Sequence, residues 1–249
     1  MYYAKAEGFP ADKAAGKPCK SLMPDFRCSI HPKLMACKLK GCMAYDCFGA
    51  GQKVAQAIYS GANWMTTPEI ADQMFKVFLQ VWQLHQMLWY LVEASTLIPA
   101  EKLKNEIDAL ILENEQMTRL NPDEILALDI QDYRSRVNTI LKKAGELVRT
   151  AINSTADNRI SGDYIGKNFK HANFNGKDFS MTLLIAVNLE GCSLHGTNFL
   201  GADMRDTNIK NTDLSESVFL TQGQVNAAKG NRNTKLPETL AYPISWQRL

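Results

Sequence analysis

Residues Tyr164 to Phe219 read YIGKNFKHANFNGKDFSMTLLIAVNLEGCSLHGTNFLGADMRDTNIKNTDLSESVF, and a large apolar side chain recurs there at every fifth position. The series is Tyr164, Phe169, Phe174, Phe179, Leu184, Leu189, Leu194, Phe199, Met204, Ile209, Leu214 and Phe219. At the chain's own apolar content of 45%, an unbroken run of that length arises by chance roughly once in ten thousand tries. Two residues before each centre the side chain is small in ten of the twelve cases, as at Ala172, Thr182, Val187, Cys192 and Thr197. One residue before, it is Asp or Asn in nine. A period of five matches neither the 3.6 of an α-helix nor the 2 of a strand, so the chain must turn a corner every five residues. The apolar and small residues then face inward and stack on the next coil, while Asp or Asn faces water and accepts hydrogen bonds from corner amides.

The pattern resembles the pentapeptide-repeat family, whose motif is small, Asp/Asn, Leu/Phe, polar, polar. The resemblance implies a short right-handed quadrilateral β-helix from about 159 to 221. Twelve sides make about three coils, roughly 14 Å tall at a strand spacing of about 4.8 Å. Lys167 and Lys177 occupy inward small sites, which predicts an irregular first coil or lysine stems that leave through its open end. Cys192 is read as packing. Thr221-Gln222-Gly223-Gln224 has the form of a helix capping box, so residues 222–249 are read as a short capping helix and an extended tail.

Upstream, Thr67-Pro68 opens a helix over about 68–94 with apolar residues at Ile70, Met74, Val77, Val81, Leu84, Leu88 and Leu91. A second helix starts at Pro99, and a third at Asn121-Pro122-Asp123-Glu124 runs to Val148. Together they predict an antiparallel helical bundle over 68–158, and the whole an α+β multi-part chain. His85, between Trp82 and Trp89, reads as a buried, hydrogen-bonded histidine.

Residues 1–67 hold five of the six cysteines. Cys19, Cys28, Cys42 and Cys47 are spaced C-x8-C-x13-C-x4-C, with His31 three residues after Cys28. Four thiolates, or three and an imidazole, satisfy tetrahedral zinc, and four thiolates hold an iron–sulfur cluster; the alternative is buried thiols acting as small hydrophobes. Nine Lys or Arg against four acids in this segment favour thiolate. The stretch from Pro18-Cys19 through Cys28-Ser29-Ile30-His31, Gly41-Cys42 and Tyr45-Asp46-Cys47-Phe48-Gly49-Ala50-Gly51-Gln52 also resembles the cysteine-rich leader of some bacterial pentapeptide-repeat proteins, itself similar to zinc- or iron-chelating families. In those proteins a paired-cysteine element comes first; no cysteine precedes Cys19 here. Gly49-Ala50-Gly51-Gln52-Lys53 lacks the phosphate-loop pattern and reads as a tight turn opening a helix.

The net charge of +2 divides into +5 for residues 1–67, −5 for 68–158, −1 for 159–221 and +3 for 222–249, so no block is basic enough for a nucleic-acid arm. Direct DNA binding is therefore not expected. The start, MYYAKAEGFPADK, lacks the basic and apolar blocks of an export signal, and the most apolar stretch, 74–92, contains Lys76, Gln80, Gln83, His85 and Gln86, which predicts no membrane span and a cytoplasmic location. No Ser/His/Asp or paired-carboxylate motif suggests an enzyme. The sequence therefore predicts a non-enzymatic interaction module with an unnamed protein partner. The family resemblance adds target protection in antibiotic resistance, while a metal-binding sensor or redox protein is the alternative.

Overall fold

The computed structural model describes residues 2–152 and 164–246. Gly162 and Asp163, where the repeat was expected to begin, and the 158/159 boundary lie outside them. The chain divides into two compact units. The first comprises Met1–Leu39, Cys47–Thr96 and Glu101–Lys142; the second comprises Lys40–Asp46, Leu97–Ala100 and Lys143–Leu249.

In the first unit, Gly49 takes a left-handed conformation (φ 75°) and opens α2, Ala50–Gln52, which continues as a wider turn over Lys53–Ile58. This is the tight turn at a helix start that the glycine pair predicts. Pro68–Ile70 forms a 3-10 turn that leads into α3, Ala71–Thr96. Met74, Val77, Val81, Leu84, Met87, Leu91 and Ala94 are buried along it at spacings of three and four, the stripe a helix needs to face a core. Met74, Val77 and Val81 pack with Ala50, Val54 and Ile125. His85 is half-buried and its Nδ1 lies 2.8 Å from the Phe48 carbonyl; a carbonyl only accepts, so this nitrogen carries the proton.

The second predicted helix is a 3-10 turn, Ile98–Leu103, followed by α4, Lys104–Met117. The third is broken in two. Asn121 and Glu124 form the expected reciprocal cap of α5, Pro122–Ala127, but Leu128 is extended. Asp129 then accepts from the Gln131 and Asp132 amides and starts α6, Ile130–Ala151, as a new N-cap does. At the centre of the unit, fully buried Asn114 donates to the Leu84 carbonyl and the Tyr133 hydroxyl, and Tyr133 donates to the Leu110 carbonyl. Burial pushes the Tyr133 phenol up to about 12, so it remains a donor at any ordinary pH.

In the second unit, the repeat departs from the expected architecture. Among the described residues no β-strand forms, so the α+β chain with a quadrilateral β-helix is corrected to one whose regular elements are helical, with the repeats built from turns. The cause is the corner geometry. Residues 166, 171, 176, 181, 186, 191, 196, 201, 206 and 211 all have φ between 55° and 68°, so the chain reverses into the left-handed region every fifth residue. Only one residue per side is left to pair. Pairing therefore consists of single parallel bridges twenty residues apart, such as Asn168 to Asn188 to Asn208 and Asp178 to Asn198 to Val218.

The interior follows the sequence reading. Of the twelve apolar centres, Phe169 is half-buried and the rest are buried. The small inward residues do more than fill space: Thr197, Thr207, Thr212 and Ser217 each donate to a carbonyl 23 residues earlier, at 2.7–3.0 Å. Outside, Asx side chains at 168, 173, 178, 188, 198, 203, 208 and 213 accept from the amide two residues on. The first coil carries the same bridges and corners as the others; the Lys167 stem leaves it and sets its ammonium 4.8 Å from the Tyr164 ring centre.

The far end is closed by α7, Gln222–Ala227, with the predicted Thr221/Gln224 box. Gln224 Nε2 also donates to the Phe199 and Ala202 carbonyls. Asn226 donates to the Met43 carbonyl in α1, Lys40–Ala44. The tail is more than a trailing end, since Lys229 and Lys235 add two further bridges, to Asn208 and Asp213. No helix among the described residues is long and apolar enough to cross a membrane.

Candidate functional site

The outer faces of the repeat differ in chemistry. On the column through Asn168, Asn188 and Asn208, each amide donates to the next carboxamide oxygen at 2.9 Å, which makes a self-satisfied polar ladder. Next to it runs the column centred on Tyr164, Leu184 and Met204. There Leu183 stands where the motif calls for Asp or Asn, and the Gly166 amide donates to the Ile185 carbonyl, so Ile165 and Ile185 are neighbours on successive coils. Ile165 is 49% exposed, Leu183 43% and Met181 78%. Met181 occupies a left-handed corner (φ 56°) and lies over Gly201, where a Cβ would come within 2.5 Å of its sulfur. Toward the far end the apolar strip gives way to Asp203 and Arg205, paired at 2.6 Å.

The sequence alone predicts that this strip, Ile165, Leu183 and Ile185, docks on the helical bundle that precedes it. The last turns of α6 meet a different column: a Cβ on Gly196 would lie 2.2 Å from Ile152 Cδ1 and 3.3 Å from Val148 Cγ1, and one on Gly145 would lie 3.0 Å from Asn198 Nδ2. Glycine at both places lets helix and repeat approach closely. Ile165, Met181 and Leu183 are thus exposed large apolar side chains on this face of the repeat. The segment 153–161, where loss of such docking was expected to raise proteolysis, is outside the described residues.

All six cysteines are thiols outside any disulfide. Cys19 is half-buried and its Sγ accepts from the Ser21 amide at 3.4 Å. Cys28 bridges Leu22, and its carbonyl accepts from the His31 amide, where the 3-10 turn His31–Lys33 begins. Cys42 sits on α1 in the second unit and Cys47 precedes the Gly49 turn in the first. Cys19 and Cys47 line one cavity, of which Cys28, His31 and Cys42 are not part. Among the described residues, no group of three or more His, Cys, Asp or Glu is gathered to hold a metal ion. Cys192 is buried and its thiol donates to the Phe169 carbonyl, and burial raises its pKa, so it packs inside the repeat as a small side chain.

Comparison with known proteins places these features. Residues 168–199 and 182–219 match the model of the pentapeptide repeats, in eight copies. Over 248 residues the chain is 43% identical to the uncharacterized protein YybG of Bacillus subtilis, covering 98% of this chain and 89% of that one. Among solved structures, it is similar to a pentapeptide repeat protein from the cyanobacterium Cyanothece (22% identity, TM-score 0.22, 28% of this chain and 46% of that one). A pentapeptide repeat protein of the Arabidopsis thaliana thylakoid lumen is another (22%, TM-score 0.17, 32% and 57%).

Proposed function

We propose that this chain, which belongs to the family of the Bacillus subtilis protein YybG and carries pentapeptide repeats, is a non-enzymatic, cytoplasmic protein-interaction module. The observation that carries the reading is the exposed strip of Ile165, Met181 and Leu183 beside a self-satisfied Asn ladder. Burying such side chains is worth about 25 cal/mol per Å² of apolar surface, which a partner can recover and water cannot. The test is a photo-crosslinking amino acid placed at 183 or, as the control, at 188 in the polar column, with adducts identified in cells. The reading requires one dominant adduct from 183 that is absent from 188. Equal yields from both positions, or none from 183, refute it.

Target protection in antibiotic resistance is the partner class suggested by the family resemblance, with a DNA topoisomerase as the target. A DNA mimic needs a dense negative field, and a net charge of −1 over 159–221 lends mimicry weak support. A topoisomerase whose drug inhibition is unchanged by excess protein would end that version. The second reading, a zinc or iron–sulfur sensor or redox protein, is favoured by one observation, the shared cavity of Cys19 and Cys47. Metal analysis and an anaerobic absorption spectrum decide it. On this reading Cys28→Ser or Cys47→Ser costs far more stability than Cys37→Ser, because a lost ligand removes metal-binding energy from folding.

A further inference from the structure

The cavity holding Cys19 and Cys47 lies wholly within the first unit and has a volume of about 690 Å³, within the range of small-molecule sites. Its wall is aromatic and aliphatic: Phe26, Trp64, Phe75 and Phe78, with Leu22 and Met74. Trp64 meets Phe75 edge-on at 5.3 Å and Phe26 at 6.0 Å. Phe26 is the unusual member. It is 47% exposed, and its backbone sits at φ 62° in a turn closed by the Met23 and Phe26 amides. A bulky side chain rarely adopts that region, and such conformations collect at ligand sites.

The charges on the lining do not call for an ionic ligand. Lys13 donates to the Ala14 and Lys17 carbonyls and lies 4.8 Å from the Tyr3 ring centre. Its ammonium is thus held by its own loop, and the other two charged residues of the lining, Lys17 and Asp25, are of opposite sign. The rest of the polar lining is amide and thiol, from Gln52, Gln56, Asn63, Cys19 and Cys47. There is also real space, since a Cβ added at Gly51, which lines the cavity, meets nothing within 4 Å.

We propose that this cavity binds an uncharged aromatic small molecule, stacked among Phe26, Trp64 and Phe75 and oriented by the rim amides. The site is independent of the repeat and of any partner it holds. The probe is N-phenyl-1-naphthylamine, titrated into the full-length protein and followed by its fluorescence. Saturable binding at one site per chain is expected, weakened at least tenfold by Gly51→Leu, which fills the space and replaces a helical glycine with a better helix former. Trp64→Leu should weaken it similarly, and Leu183→Ser on the repeat should leave it unchanged. A readout independent of variant folding comes from alkylation of the wild-type protein by iodoacetamide. Saturating probe should slow modification of Cys19 and Cys47 at least fivefold and leave exposed Cys37 unaffected. No saturable binding to the parent protein, loss of the signal in Leu183→Ser but not in Gly51→Leu, or alkylation of Cys19 and Cys47 that the probe does not slow overturns the proposal.

Discussion

Replacing Gly196 by alanine tests how the helix end is seated on the repeat, because this glycine is constrained twice. Its φ of 62° is a left-handed conformation that costs an L residue about 1–2 kcal/mol. Alanine recovers about 0.4–1 kcal/mol by having fewer unfolded conformations to lose. The added methyl would also enter within 2.2 Å of Ile152 Cδ1 and 3.3 Å of Val148 Cγ1, and forced overpacking of this kind costs about 1–3 kcal/mol. The net expectation is a loss of about 2–4 kcal/mol, or roughly 4–16 °C in melting temperature for a chain of this size. Gly166→Ala is the matched control: φ is 68° and nothing lies within 4 Å of its Cβ, so only the backbone contribution remains, about 1 kcal/mol. Because the two units need not unfold together, the assay pairs urea unfolding with amide exchange over residues 146–151. Gly196→Ala should lose protection there and Gly166→Ala should not. If both substitutions cost the same and exchange over 146–151 is unchanged, the last turns of α6 are not packed on the Gly196 corner.

Other perturbations address other contacts. Thr197→Val keeps the shape of a fully buried side chain but removes its 2.8 Å bond to the Phe174 carbonyl; that carbonyl still accepts from Lys177, so a loss of about 1 kcal/mol is expected in urea unfolding. Tyr133→Phe deprives buried Asn114 of one acceptor and Leu110 of one donor and should cost about 1–3 kcal/mol. Lys235 and Ser215 hold the Asp213 carboxyl down to about 2 from 3.8, so it contributes stability that is present above the unfolded pKa and lost as pH falls toward 2. Asp213→Asn should therefore be slightly destabilising at pH 7, within the usual range for an exposed pair, and the difference from the parent should shrink as pH falls from about 4 toward 2, as measured by thermal melts across that range. Leu183→Asn restores an acceptor for the Ile185 amide and should leave stability equal or up to about 1 kcal/mol higher, while removing the apolar contact that crosslinking reads.

What the sequence revealed and what it hid have separate physical causes. The inward positions were legible because a stacked interior imposes one side-chain class at a fixed interval, and Phe179, Leu184 and Leu189 are indeed fully buried. The caps at Asn121 and Thr221 were legible because each uses two specific side chains three residues apart. The corners were harder to read. Glycine at 166, 176, 191, 196 and 201 carries a five-residue signal, but His171, Met181, Ala186, Asp206 and Asn211 adopt the same conformation without it, because coil-to-coil bonding overrides local preference. That corner leaves too short a side for a strand, and the period alone does not show this. The break at Leu128 had a local signal in Asp129, masked by the continuous apolar periodicity on either side. The bridges of Lys229 and Lys235 had none, since backbone pairing by a tail depends on where the preceding coil ends. At the cysteines, spacing fixes separation along the chain only; Cys42 lies in a different unit from Cys19, Cys28 and Cys47.

Because the coils are tied from within, the repeat can vary on its outside. Thr197, Thr207, Thr212 and Ser217 bond to the coil below through buried hydroxyls, and the backbone bridges connect the same coils again. An outward Asx contributes one hydrogen bond at a solvated corner, about 1 kcal/mol or less once water competes. Leu183, Ser193 and Val218 can therefore replace it without opening the stack. Their surroundings differ: Val218 is 4% exposed, and the Ser193 hydroxyl donates to Asn175, so each is accounted for by its own neighbours. Leu183 forgoes the Asx bond and is left 43% exposed next to Met181 and Ile165. A substitution that costs the isolated chain both a hydrogen bond and apolar exposure makes physical sense where another surface covers it, and this ties the proposed interaction to that column and not to the Asn ladder beside it.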